Sequence, residues 1–137
     1  MKMSIIYWSG TGNTSAMADA IAEGAAAAGA EVNKLEVSSA SLNDILEADV
    51  VALGCPAMGA EVLEESEFEP FYQSIRSNLS GRKIGLFGSY GWGDGEWMRN
   101  WHDDAAAAGA VFGAEDLMVC GAPEGGECSE FGKALTK

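Results

Sequence analysis

The sequence predicts a doubly wound α/β fold: five strands alternating with five helices, an open parallel sheet, and helices on both faces. Three observations carry the prediction. Runs such as DVVALGC (49 to 55) and KIGLFGSY (83 to 90) are apolar without alternation, as strands covered on both sides by helices must be. The stretches between the strands repeat apolar residues at helical spacing. Glycine-containing segments then follow the first, third and fourth strands, where the chain has to turn from strand into helix.

The elements follow in order. MSIIYW (3 to 8) is a short buried strand ending at a glycine turn. Thr14 to Ala28 is a helix: Met17, Ala18, Ile21, Ala22 and Ala25 share a face, Asn13 or Thr14 caps it and Gly29 stops it. EVNKLEV (31 to 37) alternates like an edge strand, SLNDILEA (41 to 48) is a short helix, and residues 49 to 55 form a central strand. FEPFYQSIRSNL (68 to 79) gives a third helix, residues 83 to 90 a fourth strand, and Asp94 to Ala108 a helix closed by Gly109. AVFGAEDLMVC (110 to 120) supplies a last strand and Glu127 to Leu135 a final helix.

Composition narrows function. The 137 residues, 47% hydrophobic and 21% charged, suit one domain spanning 1 to 137. Twenty-one acids against eight bases give a charge of −13, which argues against nucleic acid or an anionic membrane and leaves a basic protein as the natural complement. Nothing approaches the roughly 20 apolar residues of a membrane span, and the N-terminal stretch lacks a signal peptide's pattern, so a cytoplasmic location is expected. Cys55, Cys120 and Cys128 are odd in number and widely spaced, which suits free thiols and neither disulfides nor a zinc site. No metal ligand set stands out.

In an open parallel sheet the loops after the strands share one edge, and ligands bind there. Three segments are thereby brought together: SGTGNT after the first strand, CPAMGAEVLEE after the third, and SYGWGDGEW around the end of the fourth. SGTGNT opens a helix, so its N–H groups can face a phosphate, with the hydroxyl and amide groups of Ser9, Thr11, Asn13 and Thr14 as neutral donors. It lacks the lysine of a Walker loop and the third glycine of a dinucleotide fingerprint. Trp92 and Met58 stand beside glycines in the facing loops, where an indole and a thioether can sandwich a flat heterocycle. The run EVLEESEFE (61 to 69) carries five acids, which suit a helix start and also give the site a negative collar. His102 lies on a helix away from these loops and is expected to have a surface role, and Cys55 to be a small buried residue.

YWSGTGNT, LGCPAMG, LEE, EPF and GLFGSYGWGDGEWM together resemble the flavodoxins of the short-chain, anaerobic-bacterial kind, and the likeness runs over essentially the whole chain. The dozen residues between Gly109 and Gly121 leave no room for the insertion of long-chain members. The resemblance implies a sheet of order 2-1-3-4-5 and a monomer that binds one FMN non-covalently and shuttles single electrons through semiquinone and hydroquinone states, without substrate turnover of its own. It implies basic redox proteins, reductases or ferredoxin-linked enzymes, as partners at the acids around Glu61 to Glu69.

Carried over, Ser9, Gly10, Thr11, Gly12, Asn13 and Thr14 hold the phosphate. Pro56, Ala57, Met58, Gly59, Ala60 and Glu61 form one wall of the ring site, and Ser89, Tyr90, Gly91, Trp92 and Gly93 the other. Met58 and Trp92 flank the ring, Glu61 accepts from its N3–H, and the Gly59–Ala60 peptide turns over on reduction so that the Gly59 carbonyl accepts from N5–H. Ala60 departs from the family pattern and tolerates positive φ less well than Gly or Asn. A neutral phosphate loop in so acidic a protein disfavours further negative charge on the ring, so a low second potential is expected. A flavin enzyme on the same fold would need open space over the ring, which Met58 and Trp92 deny. A receiver domain would need an aspartate at a strand end, where YWSG, LGCP and FGSY have none.

Overall fold

Strands covered on both faces have no polar side, and the chain's most apolar runs accordingly occupy the middle of the sheet. In the computed structural model, which describes every residue except Ala60 and Trp92, β1 (Lys2–Tyr7), β3 (Val50–Gly54) and β4 (Lys83–Tyr90) lie side by side. β2 (Glu31–Glu36) flanks β1 at the edge, with only Val32 and Leu35 half-buried among exposed neighbours. All pairings are parallel, in the order 2-1-3-4-5.

Alternation along the strands sorts the core into two halves. Ile6, Val51, Leu53, Ile84 and Leu86 point to the face covered by α2 (Leu42–Leu46), α3 (Phe68–Ile75) and α4 (Glu96–Ala107). Met3, Ile5, Tyr7, Val50, Ala52 and Phe87 point to the face covered by α1 (Asn13–Ala27) and α5 (Gly126–Leu135).

The last strand departs from expectation. Residues 110 to 120 form two short strands, β5 (Val111–Phe112) beside Lys83 and Ile84, and β6 (Leu117–Cys120) beside Phe87 to Tyr90. Residues 113 to 116 leave the sheet between them. Gly113 donates the last ladder bond, to the Ile84 carbonyl at 2.8 Å, before the chain turns away. Asp116 then reaches α4, where its Oδ2 lies 2.8 Å from His102 Nδ1 and the imidazole stacks on Phe112 at 3.9 Å. Burial raises the Asp116 carboxyl, and the adjacent His102 opposes that shift. His102 is therefore a packing and pairing residue, where a purely surface role was expected.

Helix ends also shift. The cap of α1 is Gly12, in the left-handed region at φ 97°, and neither Asn13 nor Thr14 caps it with a side chain. α4 starts at Glu96 because Gly95 (φ 91°) precedes it, two residues later than the spacing predicts. The third helix ends at Ile75 and finishes as a 3-10 turn over Arg76–Asn78.

Candidate functional site

Parallel pairing brings the ends of β1, β3, β4 and β6 to one edge, and a pocket of about 250 Å³ opens there. Trp8, Gly10, Thr11 and Asn13 line it from the first loop, Pro56, Ala57 and Met58 from the second, Ser89, Tyr90 and Gly91 from the end of β4, and Gly121 from the end of β6. A slightly larger cleft of 290 Å³ lies at the opposite edge beside Lys2, Glu31, Asp44 and Glu47. It sits at the amino ends of β1 and β2, away from the strand-end loops where such sheets take ligands.

The first loop is organised by its own polar atoms. Ser9 Oγ accepts from the N–H groups of Gly12 and Ser15, both at 3.2 Å, so amides of the loop and of the first turn of α1 converge on one point without a cationic side chain. Thr14 is buried, and its hydroxyl pairs with that of Ser89 at 3.1 Å, tying the first loop to β4. Trp8 folds back over the loop: a Cβ on Gly10 would sit 2.8 Å from the indole, whose Nε1 donates to Glu67 at 3.3 Å.

The second loop is a narrow hairpin. Ala57 N donates to the Ser89 carbonyl at 3.0 Å, extending the sheet ladder past β3. Met58 and Val62 then exchange two backbone hydrogen bonds at 2.9 and 3.2 Å, with Met58 half-buried. Inside this closure Gly59 has φ 29° and Glu61 has φ 55°, and Glu61 is the one non-glycine with positive φ among the described residues. A glutamate in the left-handed region costs about 1–2 kcal/mol. Its carboxylate accepts the Gly95 N–H at 3.3 Å, holding the hairpin to the start of α4. Glu61 lines a neighbouring cleft of about 220 Å³ between α3 and α4, outside the 250 Å³ pocket.

The acidic run divides in two. Glu64 is buried, and its carboxylate accepts from the N–H groups of Ser66, Glu67 and Phe68 at 2.9, 2.8 and 2.9 Å and from the Ser66 hydroxyl. Burial alone would raise this carboxyl, but those donors prevail and hold it at about 2. Glu64 thus caps α3 and is no part of an exposed collar, whereas Glu65 and Glu67 are exposed.

Of the residues expected from sequence, the pocket gathers Gly10, Thr11, Asn13, Pro56, Ala57, Met58, Ser89, Tyr90 and Gly91. Ser9, Gly12, Thr14, Gly59, Glu61 and Gly93 stand in the same loops but do not line it. Ala60 and Trp92 lie outside the described residues. Trp8 and Gly121 were missed. Gly121 follows the last strand, so the rule that strand-end loops share an edge already pointed to it.

One feature suits a bound anion: amides of the first loop gather at a helix N-terminus, on a point that Ser9 Oγ occupies.

Strand-end loops enclosing such a pocket at the carboxyl edge of a 2-1-3-4-5 sheet define a doubly wound α/β protein whose ligand site lies at that edge. The Flavodoxin family model matches residues 5–132, and the chain belongs to the flavodoxin family. It is 50% identical over 135 residues to the flavodoxin of Clostridium beijerinckii, covering 97% of this chain and 98% of that one. Identity to the flavodoxin of Megasphaera elsdenii is 47% over 138 residues, with 98% of each chain covered. The solution structure of two-electron reduced Megasphaera elsdenii flavodoxin matches with a TM-score of 0.90 at 45% identity over 97% of either chain. The chain is thereby of the short-chain kind, in a family of FMN-binding electron-transfer proteins that are typically not catalysts.

Proposed function

We propose that this chain carries one FMN non-covalently and passes single electrons between protein partners. The pocket of about 250 Å³ that the loops after β1, β3 and β4 enclose, lined by Thr11, Asn13, Met58 and Ser89, is the observation that carries the reading. When bound, FMN supplies reversible one-electron chemistry. The chain's part is to hold, orient and shield it.

The loop Ser9 to Thr14 would hold the phosphate at the helix N-terminus, the Gly12 and Ser15 amides exchanging Ser9 Oγ for phosphate oxygens. Met58, which lines the pocket, would cover one ring face, and Trp92 is the residue proposed for the other. Glu61, whose carboxylate here takes the Gly95 amide beside the pocket, would turn to accept from the ring N3–H, and the backbone of Gly59 and Gly91 would meet the ring's polar edge. The Gly59 carbonyl would be the acceptor for a proton carried at N5 of the reduced ring. With no cation in the phosphate loop and a charge of −13 on the chain, a second negative charge on the ring is disfavoured, which makes the fully reduced protein a strong reductant.

The exposed acids around Glu65 and Glu67 fit a basic redox partner, whose association should slow steeply as salt rises. Titration of the apoprotein with FMN, followed by flavin fluorescence, tests the reading. Stoichiometric quenching at one FMN per chain is expected. Unquenched fluorescence at micromolar protein would overturn it.

A further inference from the structure

Cys55 stands between β3 and the site hairpin, fully buried, and each of its polar groups is engaged. Its N–H donates to the Phe87 carbonyl at 3.1 Å, and its carbonyl accepts from the buried Trp97 Nε1 at 3.1 Å. Its sulfur accepts from the Glu64 N–H at 3.3 Å and donates to the Pro56 carbonyl at 3.6 Å. The outgoing limb of the hairpin at Pro56 and its returning limb at Glu64 therefore meet at one sulfur atom. Glu64 is the residue whose carboxylate caps α3, so fixing its amide fixes the limb to that helix. Behind the Cys55 carbonyl, Gly88 leaves no slack: a Cβ there would overlap it.

The hairpin is thus closed twice, at its base by the thiol and nearer its tip by the Met58–Val62 pair. Burial pushes the Cys55 thiol up to about 12, so at neutral pH it keeps the proton it donates while it accepts from Glu64.

We propose that Trp97, Cys55 and the Glu64 amide form a clamp that confines backbone change to residues 58–62, making Cys55 and Trp97 positioning residues that act on the reduction potentials without touching the cofactor. This rests on the FMN reading above. A looser base holds the Gly59 carbonyl less firmly where the reduced ring needs it, so the first electron becomes harder to add. One ordinary hydrogen bond corresponds to about fivefold in such an equilibrium. At 59 mV per tenfold for one electron, that is a fall of about 40 mV.

The test measures three quantities in wild type, Cys55→Ala, Cys55→Ser and Trp97→Phe. They are both one-electron potentials of the FMN-loaded protein, its FMN dissociation constant, and Glu64 amide exchange without FMN. Cys55→Ala should lower the first potential by about 40 mV, speed Glu64 exchange at least about fivefold, and change FMN affinity no more than about twofold. Cys55→Ser, which restores a donor and an acceptor, should recover more than half of the shift. Trp97→Phe keeps a ring and loses the donor; it should shift the potential the same way, and it replaces Cys55→Ala if that variant does not fold. Unchanged potentials in Cys55→Ala or its stand-in, or no recovery with serine, would overturn the proposal while FMN binding stands. A wild type that binds no FMN would overturn the functional reading instead, and the clamp would then be judged on Glu64 exchange alone.

Discussion

The two faces of the sheet are built of different materials. On one, α1 and α5 approach until backbone meets backbone: a Cβ on Gly24 would overlap the Ser129 carbonyl, and one on Gly132 would overlap the Ile21 carbonyl and lie 3.0 Å from Ala25 N. On the other, α3 and α4 are spaced by rings, with Phe68 and Tyr72 edge-on to Trp101 at 5.4 and 6.2 Å. There the Tyr72 hydroxyl and Arg76 Nε both donate to Asp104 Oδ2, at 2.7 and 2.8 Å. The second face ties the site hairpin to its helices, through Trp97 to Cys55, while Glu64 caps α3 and Glu61 takes the Gly95 amide. The first face holds its helices by close approach and reaches the site at the Thr14–Ser89 hydroxyl pair.

Gly132→Val should break this division most severely. The obstacle is backbone, which cannot swing aside like a side chain, so a loss of about 3 kcal/mol or more is expected. Its urea midpoint should fall sharply, and a midpoint like that of the wild type would mean the two helices are not so close.

Glu64→Ala comes next. Three amides and a hydroxyl lose a buried acceptor at a helix start, for a cost of about 2 kcal/mol. The pH dependence has a definite sign. The folded carboxyl titrates at about 2, below its ordinary 4.5, so its contribution is complete above about 4.5 and is lost as pH falls toward 2. Unfolding measured across that window should be flatter in Glu64→Ala than in wild type.

How far the sequence reached is visible in such residues. The central strands were legible because continuous apolar runs have one common explanation, and so was the clustering of their loops, which follows from parallel pairing. What escaped notice depends on partners far along the chain. Thr14 stands inside α1, one residue past its start, and spends its hydroxyl on Ser89 of β4 instead of on the helix end. The break at residues 113 to 116 is held by His102, an element away. The acidic run looks uniform in sequence, yet Glu64 turns inward to bind the amides that follow while Glu65 stays exposed.

A gentler probe, at the point where α1 itself reaches the site, is Thr14→Ala, which leaves the Ser89 hydroxyl without its partner and loosens the first loop from β4. FMN binding should weaken about fivefold, a change equal to one hydrogen bond, with the potentials moving less. Smallest of all in stability is Glu65→Gln, which should stay within about 0.5 kcal/mol of wild type. Stopped-flow reduction by a basic redox protein at low salt should nevertheless be slower in that variant and converge with wild type as salt rises.

The proposed function requires a site that holds FMN and passes one electron at a time. Stepwise anaerobic reduction of the FMN-loaded protein, followed by its absorption spectrum, tests it most directly. Two separated one-electron steps are predicted, yellow to blue and blue to colourless, the second at a potential well below that of free FMN. A single two-electron bleaching, or a second step at or above the potential of free FMN, would contradict it.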